Sequence, residues 1–488
     1  MRLLTVFLLL CAALIQGGCA QSTHDSNVGV STSGESRYNH LDPEAILTGE
    51  PLPVPGVNQR PVVGTKKVLL VVGRWAGMPA MDKEELWKQS LSPESESSLR
   101  RYISYVSGRK LTLEGTMITA DLGPKPAICN TRDAVKGPAE AAARAQGLNP
   151  DDFDYLFIAA SCGIGTGSAD APGRVLAIYN QPESSHLWIR LFGNNLGFIS
   201  GPTYSGCPLS SNVITAPDHC KIIFYPDYGN PVSGGGSVLY PTHLRWYAGW
   251  LDESRVTHIK ASGIYRLALG NSYLIDLPTT APNQPKQIAL EVRQTLFPPF
   301  DSQFPTGYAK GVGVRYTKMA EYVQDIQVDS APETVSTEDA TLKAGRTLKD
   351  EAAGITVHVC AVDPLVESNA AISVGLKGET QPACSSLKKP TFTTPKDGDV
   401  VNRVVQFTGG GLPDASFSVR VINLSTLFSW TLAPPNVDGA GNWRISEWDH
   451  GMKPGPTYQV NLNQNYGGII DRTSIKVTVK PDTSVAKQ

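Results

Sequence analysis

The sequence has no excess of positive charge and none of the common metal or redox motifs. Its 43 lysines and arginines are balanced by 45 aspartates and glutamates, giving a formal net charge of −2. Because nucleic-acid binding begins with a basic surface, no nucleic-acid partner is expected. No two of the eight histidines stand four residues apart, and no two cysteines follow the C-x-x-C spacing. The sequence therefore lacks the H-E-x-x-H zinc motif and the thioredoxin-like redox motif.

Charged residues are also scarce, at 18% of the 488 residues, whereas 41% are hydrophobic. A chain of this composition can form a core, which excludes a wholly disordered protein. The 46 glycines and 36 prolines exceed the usual share and indicate many turns between short strands.

The amino terminus indicates export. Arg2 precedes the apolar run 3–15, which has the length of a signal peptide and is too short to span a bilayer. The residues ending in Cys19 resemble the lipobox of bacterial lipoproteins, in which the cysteine carries the lipid. Alternatively, Gly18 and Ala20 form a signal-peptidase site that releases a soluble protein. We therefore expect a bacterial outer-membrane or periplasmic lipoprotein, held to the membrane only by its lipid anchor, or a secreted protein.

Six cysteines remain after the signal region. An even number in an oxidising compartment indicates disulfides. The sequence does not fix their pairing, and we favour neighbours along the chain, which are Cys129 with Cys162, Cys207 with Cys220 and Cys360 with Cys384.

The patterning divides the chain into five parts. A signal peptide (1–19) and a flexible linker (20–60) rich in Ser, Asn, Gly and Pro come first. In residues 61–258, buried-strand and helix patterns alternate, and in residues 259–386 short alternating segments predict strands. Residues 387–481 hold about seven short strands separated by turns, which predict an immunoglobulin-like β-sandwich. Such modules on exported bacterial proteins are mostly spacers or adhesive units.

Five segments of residues 65–325, in the correct order, resemble the gametolysin family of zinc metallopeptidases, which are metzincins. The resemblance implies a metzincin-like mixed α/β domain (61–258). Together with the β-rich domain packed on it and the all-β sandwich, which the patterning predicts, this gives an expected α+β fold class. The segments are Tyr102-Ile103-Ser104-Tyr105-Val106-Ser107-Gly108-Arg109-Lys110-Leu111-Thr112-Leu113, Ile158-Ala159-Ala160-Ser161-Cys162-Gly163, Tyr228-Gly229-Asn230-Pro231, Ala248-Gly249-Trp250-Leu251 and Glu291-Val292-Arg293-Gln294.

The family's chemistry lies in H-E-x-x-H-N-x-G-x-x-H, which supplies three zinc ligands and a glutamate as general base. Aligned with this motif, Arg190 and Asn194 take the first two ligand positions and Ser200 the third. Leu191 replaces the glutamate, and the methionine that lies beneath the family's zinc site aligns with Gly235. We therefore assign no catalytic residue, no metal site and no cofactor.

The physical chemistry of these substitutions opposes zinc binding. Arginine stays protonated and offers zinc no lone pair, and leucine cannot accept a proton. A fixed cation would also repel a divalent ion, so we expect the Arg190 guanidinium to fill the metal's electrostatic place by pairing with a carboxylate. A relocated site of His186, His219 and His243 is the alternative within this region.

Two candidate functions follow from the resemblance and from the missing zinc ligands and general base. The first is an exported cell-envelope pseudo-peptidase, a non-catalytic binding or scaffolding protein that holds a protein, peptide or glycan. The alternative is an active secreted zinc metalloendopeptidase with an atypical metal site.

Overall fold

The computed structural model describes residues 60–224, 227–279, 284–293, 300, 305–319, 322–363 and 369–481. The expected signal peptide (1–19), the lipid anchor Cys19 and all but the last residue of the expected linker lie outside the described residues. Among the helices of the described part, none has the length and apolar character needed to cross a membrane.

Strands dominate the structure. They take up 40% of the described residues, against 15% for helices. The expectation of an α+β chain with a metzincin-like α/β domain is therefore wrong, because the protein is nearly all β. Helical spacing of apolar residues is confined to the first part of the sequence. In the longer remainder, apolar and polar residues alternate with the period of two that is typical of strands. The α-helices of the described residues are α1 (Lys83–Ser90), α2 (Leu99–Val106), α3 (Arg132–Ala145), α4 (His186–Asn195) and α5 (Thr242–Tyr247).

Helices flank one five-stranded sheet near the start of the described chain. Its strands are β1 (Gly64–Arg74), β2 (Leu111–Asp121), β3 (Tyr155–Ala160), β4 (Gly167–Ala169) and β5 (Val175–Ile178), in the order β2-β1-β3-β5-β4. The central strands are parallel and apolar on both faces, as a doubly covered sheet requires. Val68 and Leu70 share a core with α2 and α4, whereas Leu69 and Val71 pack against α3.

The second sheet has eight strands and combines residues from both sides of position 258. Its strands are β6 (Phe198–Ile199), β7 (Pro202–Ser205), β10 (Lys221–Phe224), β11 (Val256–Ile259), β13 (Ser272–Asp276), β14 (Gln287–Val292), β15 (Val312–Met319) and β16 (Val323–Val328). Seven of them run in the order β10-β7-β16-β15-β14-β13-β11, and β6 pairs with β16. Side chains alternate between the two faces of a strand. Leu290 and Val314 therefore enter an apolar core, and Glu291 and Arg315 lie on the opposite face.

A third, six-stranded sheet covers the apolar face of the second. Isoleucines and valines of the two sheets, such as Ile288 and Ile372, form one buried cluster. The third sheet has the order β12-β19-β18-β17-β9-β8, and its strands are β8 (Leu209–Ser210), β9 (Val213–Thr215), β12 (Gly263–Ala268), β17 (Thr347–Asp350), β18 (Ile355–Val362) and β19 (Asn369–Gly375).

Residues 387–481 form two further sheets around one core that includes Trp443 and Tyr458. One sheet, in the order β20-β22-β26-β25, consists of β20 (Thr391–Thr394), β22 (Val404–Gly410), β25 (Asn436–Val437) and β26 (Asn442–Asp449). The other, in the order β21-β28-β27-β23-β24, consists of β21 (Val400–Val401), β23 (Ser416–Asn423), β24 (Ser429–Thr431), β27 (Thr457–Tyr466) and β28 (Ile469–Val479). This sandwich contacts the third sheet, where Arg266 donates to the Asp414 carbonyl at 2.8 Å.

Three disulfides join sequence neighbours, which confirms the expectation that the six cysteines are oxidised. Cys129–Cys162 connects the segment before α3 with the segment after β3. Cys207–Cys220 joins the two ends of the segment that contains β8 and β9. Cys360–Cys384 links β18 to the segment after β19. The bridged cysteines are 33, 13 and 24 positions apart along the chain.

Gly201, between β6 and β7, allows these strands to pair closely with β16. A Cβ atom at this position would overlap the backbone carbonyl of Asp325. We expect Gly201→Ala to lower the unfolding free energy by about 3 kcal/mol or more, since the paired backbones must separate. Thermal unfolding followed by tryptophan fluorescence measures the effect. Gly439→Ala is the control, because Gly439 is exposed and nothing lies within 4 Å of its added Cβ. Equal melting temperatures for the two variants would contradict the prediction.

Candidate functional site

The segment aligned with the family's zinc motif forms the second half of α4 and continues through β6. It packs as part of the core. Leu191, at the position of the catalytic glutamate, is 4% exposed within the apolar cluster. Arg190 and Asn194 lie on the same helix and are partly buried, as is Ser200 just after β6. These residues offer a cation, an amide and a hydroxyl, and the side chain between them is apolar.

Gly235, at the position of the family's methionine, is buried against backbone. A Cβ atom here would lie 2.6 Å from the Tyr228 carbonyl oxygen and 2.9 Å from the Asn230 nitrogen. Because these neighbours are main-chain atoms, a larger side chain would require the turn to move.

The structure does not bring His186, His219 and His243 together as one metal site. His186 contacts the Pro231 carbonyl at 3.3 Å, and His219 is exposed. Burial lowers the pKa of His186; the Pro231 hydrogen bond opposes this shift and the charge of Arg190 adds to it. His243 instead lies 2.9 Å from both carboxylate oxygens of Asp325, where both residues are buried.

Within the described part of the chain, one group of three His, Cys, Asp or Glu side chains has its ligand atoms within 4.8 Å of one another. The group is His358, Cys360 and Cys384, on and beside β18. Zinc binds cysteine as the thiolate, and these two sulfurs are bonded to each other. His358 lies 2.9 Å from Thr347 Oγ1, and burial lowers its pKa. In the oxidised protein this group is a disulfide with an adjacent imidazole.

A buried ionic cluster lies on the polar face of the second sheet. Arg315 is 1% exposed and binds both oxygens of Asp227, with Nε–Oδ2 and Nη2–Oδ1 distances of 3.0 and 3.1 Å. Its Nη1 donates to Glu291 Oε1 at 2.7 Å, and its Nη2 donates to the Tyr308 hydroxyl at 2.6 Å. The surrounding carboxylates hold the pKa of Arg315 well above its usual value, although burial opposes this. The guanidinium thus connects two strands to the turn that contains Asp227.

Glu291 links this cluster to α5. Burial alone would raise its pKa, but Arg293 and Arg315 outweigh burial and lower the pKa to about 2. Glu291 Oε2 also accepts the backbone N–H of Thr242 at 3.0 Å, which fixes the first residue of α5. Arg293 donates to Glu291 at 3.4 Å and to the Leu239 carbonyl at 2.7 Å.

Beyond this cluster, α5 borders a pocket of about 260 Å³. Arg245 lines the pocket; its Nε atom is shielded from solvent and has no hydrogen-bond partner among the described residues. The same holds for Oγ1 of Thr242, which lines the same pocket. Burial lowers the pKa of Arg245 to about 10, with further contributions from the positive charges of Arg293 and Arg255. At neutral pH Arg245 is therefore a cation.

The other walls of this pocket are basic, aromatic or aliphatic. Arg293 and Arg255 bring its guanidinium groups to three, and Tyr105 and Tyr240 supply rings. No acidic side chain belongs to the described lining. The aliphatic contacts come from Val106, Leu239, Leu269 and Val292. The arrangement combines positive charge with an apolar enclosure, which suits an anion that carries an apolar group.

A second pocket, of about 660 Å³, lies on the C-terminal sandwich. Phe428, Trp430 and Tyr458 line it, and Phe428 is 67% exposed. The rings of Phe428 and Trp430 lie 5.8 Å apart at 30° to one another. Exposed rings of this kind offer flat apolar surface to a ligand.

Sequence reasoning identified part of the buried cluster without assigning its role. The segments Tyr228-Gly229-Asn230-Pro231 and Glu291-Val292-Arg293-Gln294 supported the family resemblance, and the described part of both lies at the cluster. It missed Asp227, Arg315 and Arg245. A charged residue within an apolar strand was the available signal for Arg315, whereas nothing local distinguishes Arg245 from a surface arginine.

No protein-family model and no curated protein matches the chain. Among solved structures, an endo-β-1,4-mannanase from Thermotoga petrophila is 20% identical over 22% of each chain, with a TM-score of 0.17. An engineered protein is 22% identical over 19% of this chain and 20% of its own, with a TM-score of 0.15. The chain thus spans about a fifth of the length of these two proteins. A structure described as a protease is 10% identical over 84% of this chain and 97% of its own, with a TM-score of 0.15. Scores this low establish no common fold.

The two carboxylates around Arg315 predict a large loss of stability when the guanidinium is removed. We expect Arg315→Met to lower the unfolding free energy by about 3–5 kcal/mol, because two buried carboxylates lose their cation. The matched control is Arg245→Met, which removes a cation that has no ion pair among the described residues and leaves stability unchanged or higher. Chemical denaturation of both variants measures the difference, and similar losses in both would contradict this account of the cluster.

The lowered pKa of Glu291 predicts an acid-sensitive contribution to stability. Because its folded-state pKa of about 2 is below its ordinary value of 4.5, the contribution is full above pH 4.5 and is lost as pH falls towards 2. It amounts to about 3 kcal/mol. We expect Glu291→Gln to flatten the dependence of unfolding free energy on pH in this range. Glu114→Gln, at an exposed site, is the control and retains the wild-type slope. An unchanged slope in Glu291→Gln would contradict the prediction.

Proposed function

We propose that the protein is an exported, non-catalytic binding or scaffolding protein of the cell envelope, similar in five segments to gametolysin-type peptidases. The observation that carries this proposal is the set of side chains that α4 holds at the positions aligned with the family's zinc motif. The family's ligand and base positions hold Arg190, Leu191 and Asn194, and Leu191 is enclosed in the apolar core. A permanent cation and an amide cannot replace two neutral imidazoles, and no general base stands between them.

Two further features support binding in an exported setting. The three disulfides suit an oxidising compartment. The pocket beside α5 and the aromatic pocket of the sandwich each offer a concave surface for a peptide, protein or glycan. Attachment to a bacterial membrane through Cys19, or secretion, places these surfaces outside the cytoplasm.

The proposal predicts that tag-free mature protein holds less than about a tenth of an equivalent of zinc per chain. It also predicts that any residual casein cleavage is unaffected by 1,10-phenanthroline. Metal content is measured by mass spectrometry, with a zinc protease purified in the same way as positive control. About one equivalent of zinc together with phenanthroline-sensitive cleavage would establish the alternative, an active metalloendopeptidase.

A variant identifies the position of any zinc that is found. His358→Ala removes the imidazole next to the Cys360–Cys384 disulfide and leaves α4 unchanged. Zinc that disappears in this variant, without cleavage activity, belongs to the third sheet; it contradicts the predicted metal content but not the non-catalytic function. Zinc that persists with cleavage activity overturns it.

A further inference from the structure

The pocket beside α5 contains two buried polar atoms that the described residues leave unsatisfied. They are Nε of Arg245 and Oγ1 of Thr242. Buried donors in folded proteins nearly always have a partner, because an unmade hydrogen bond carries the full cost of desolvation. Both atoms can donate, and both belong to side chains that line the same pocket. An acceptor bound in that pocket would lie beside both side chains.

The charges around the pocket favour an anion as that acceptor. Among the described residues, Asp227 is paired with Arg315, and Glu291 is shared by Arg315 and Arg293. Arg255 donates to the neutral side chain of Asn271 at 3.0 Å. Within the described ranges, Arg245 and Arg255 therefore have no carboxylate within ion-pair distance, although Asp252, which binds Lys110, is close enough to Arg255 for its charge to act on it. An anionic ligand would neutralise the excess positive charge, and the planar guanidinium fork matches a carboxylate.

The apolar walls of the pocket indicate which chemical group the anion is joined to. Apolar side chains from α2, β14 and the segment before α5 enclose the guanidinium groups, and Tyr105 and Tyr240 add rings. The volume of about 260 Å³ is below the usual range for drug-sized ligands. It admits a group the size of one hydrophobic side chain with its carboxylate. A free phosphate would leave the apolar walls uncovered.

We propose that this pocket binds a carboxylate joined to an apolar group, as presented by the C-terminal residue of a peptide. This inference rests on the binding function proposed above and names the ligand chemistry of that function. Arg245 and Thr242 hold the carboxylate, Arg255 at the rim attracts it, and the aliphatic walls receive the adjacent side chain.

Isothermal titration calorimetry of the full mature chain tests this with N-acetyl-leucyl-phenylalanine and its C-terminal amide as probes. We expect the acid to bind at least about ten-fold more tightly than the amide. Arg245→Met abolishes the preference, and Arg245→Lys retains part of it because the charge remains without the fork. Arg444→Met, at an exposed position on the sandwich, leaves binding unchanged. Equal melting temperatures for wild type and Arg245→Met show that the fold is intact.

Two more arms identify the source of the carboxylate. Phenylacetate tests a free small acid, and inorganic phosphate tests a general anion. Binding of phenylacetate that depends on Arg245 supports the same chemistry with a small-molecule source. Phosphate binding as tight as that of the acids, binding that survives Arg245→Met, or no binding of either acid overturns the proposal.

The failures of the two proposals can be told apart. The titrations use protein treated with 1,10-phenanthroline, since a chelator that carries carboxylates would compete for the pocket. Zinc-dependent cleavage with normal acid binding would overturn only the non-catalytic function. Absent acid binding in a zinc-free, inactive protein would overturn only the ligand assignment.

Discussion

The centre of the structure depends on the neutralisation of charge on a sheet face that excludes water. Arg315 lies between Asp227 and Glu291, and each of the three is nearly inaccessible to solvent. An isolated charge in such a place would be very costly, so the pairing constrains both the register of β14 against β15 and the position of the Asp227 turn. Glu291 extends the constraint to α5 through the backbone of Thr242.

The same cluster positions the candidate binding site. Arg293 contacts the cluster and also lines the pocket, and α5, whose first N–H is bound by Glu291, carries Arg245. The buried network satisfies its own carboxylates internally and leaves none for Arg245. A buried ionic network behind a cation that has no ion pair within the described ranges is the arrangement expected of a preformed anion site, because the ligand then need not reorganise the protein.

The segment that resembles a peptidase motif has a structural role in this fold. Leu191 contributes to the core, and Gly193 leaves no room for a Cβ between Val232 and Tyr240. Two of the segments that carried the resemblance meet in the interior, and the fold class taken from the resemblance was wrong. Strands supply most of the regular secondary structure beyond α4 in the described residues, and the second sheet spans the boundary expected at 258. Local patterns predicted many of these strands, but long-range pairing set which of them share a sheet.

The sequence by itself determined the apolar runs that form strands, the even number of cysteines, and the side-chain types at the positions of α4 aligned with the zinc motif. These features depend on residue type and short spacing, which are visible in one dimension. Only the tertiary structure decided that Asp227, Glu291 and Arg315 neutralise one another and that Arg245 has no carboxylate partner among the residues the structure describes. Those residues come from four separate segments, and charge balance in a buried region depends on which segments fold against each other.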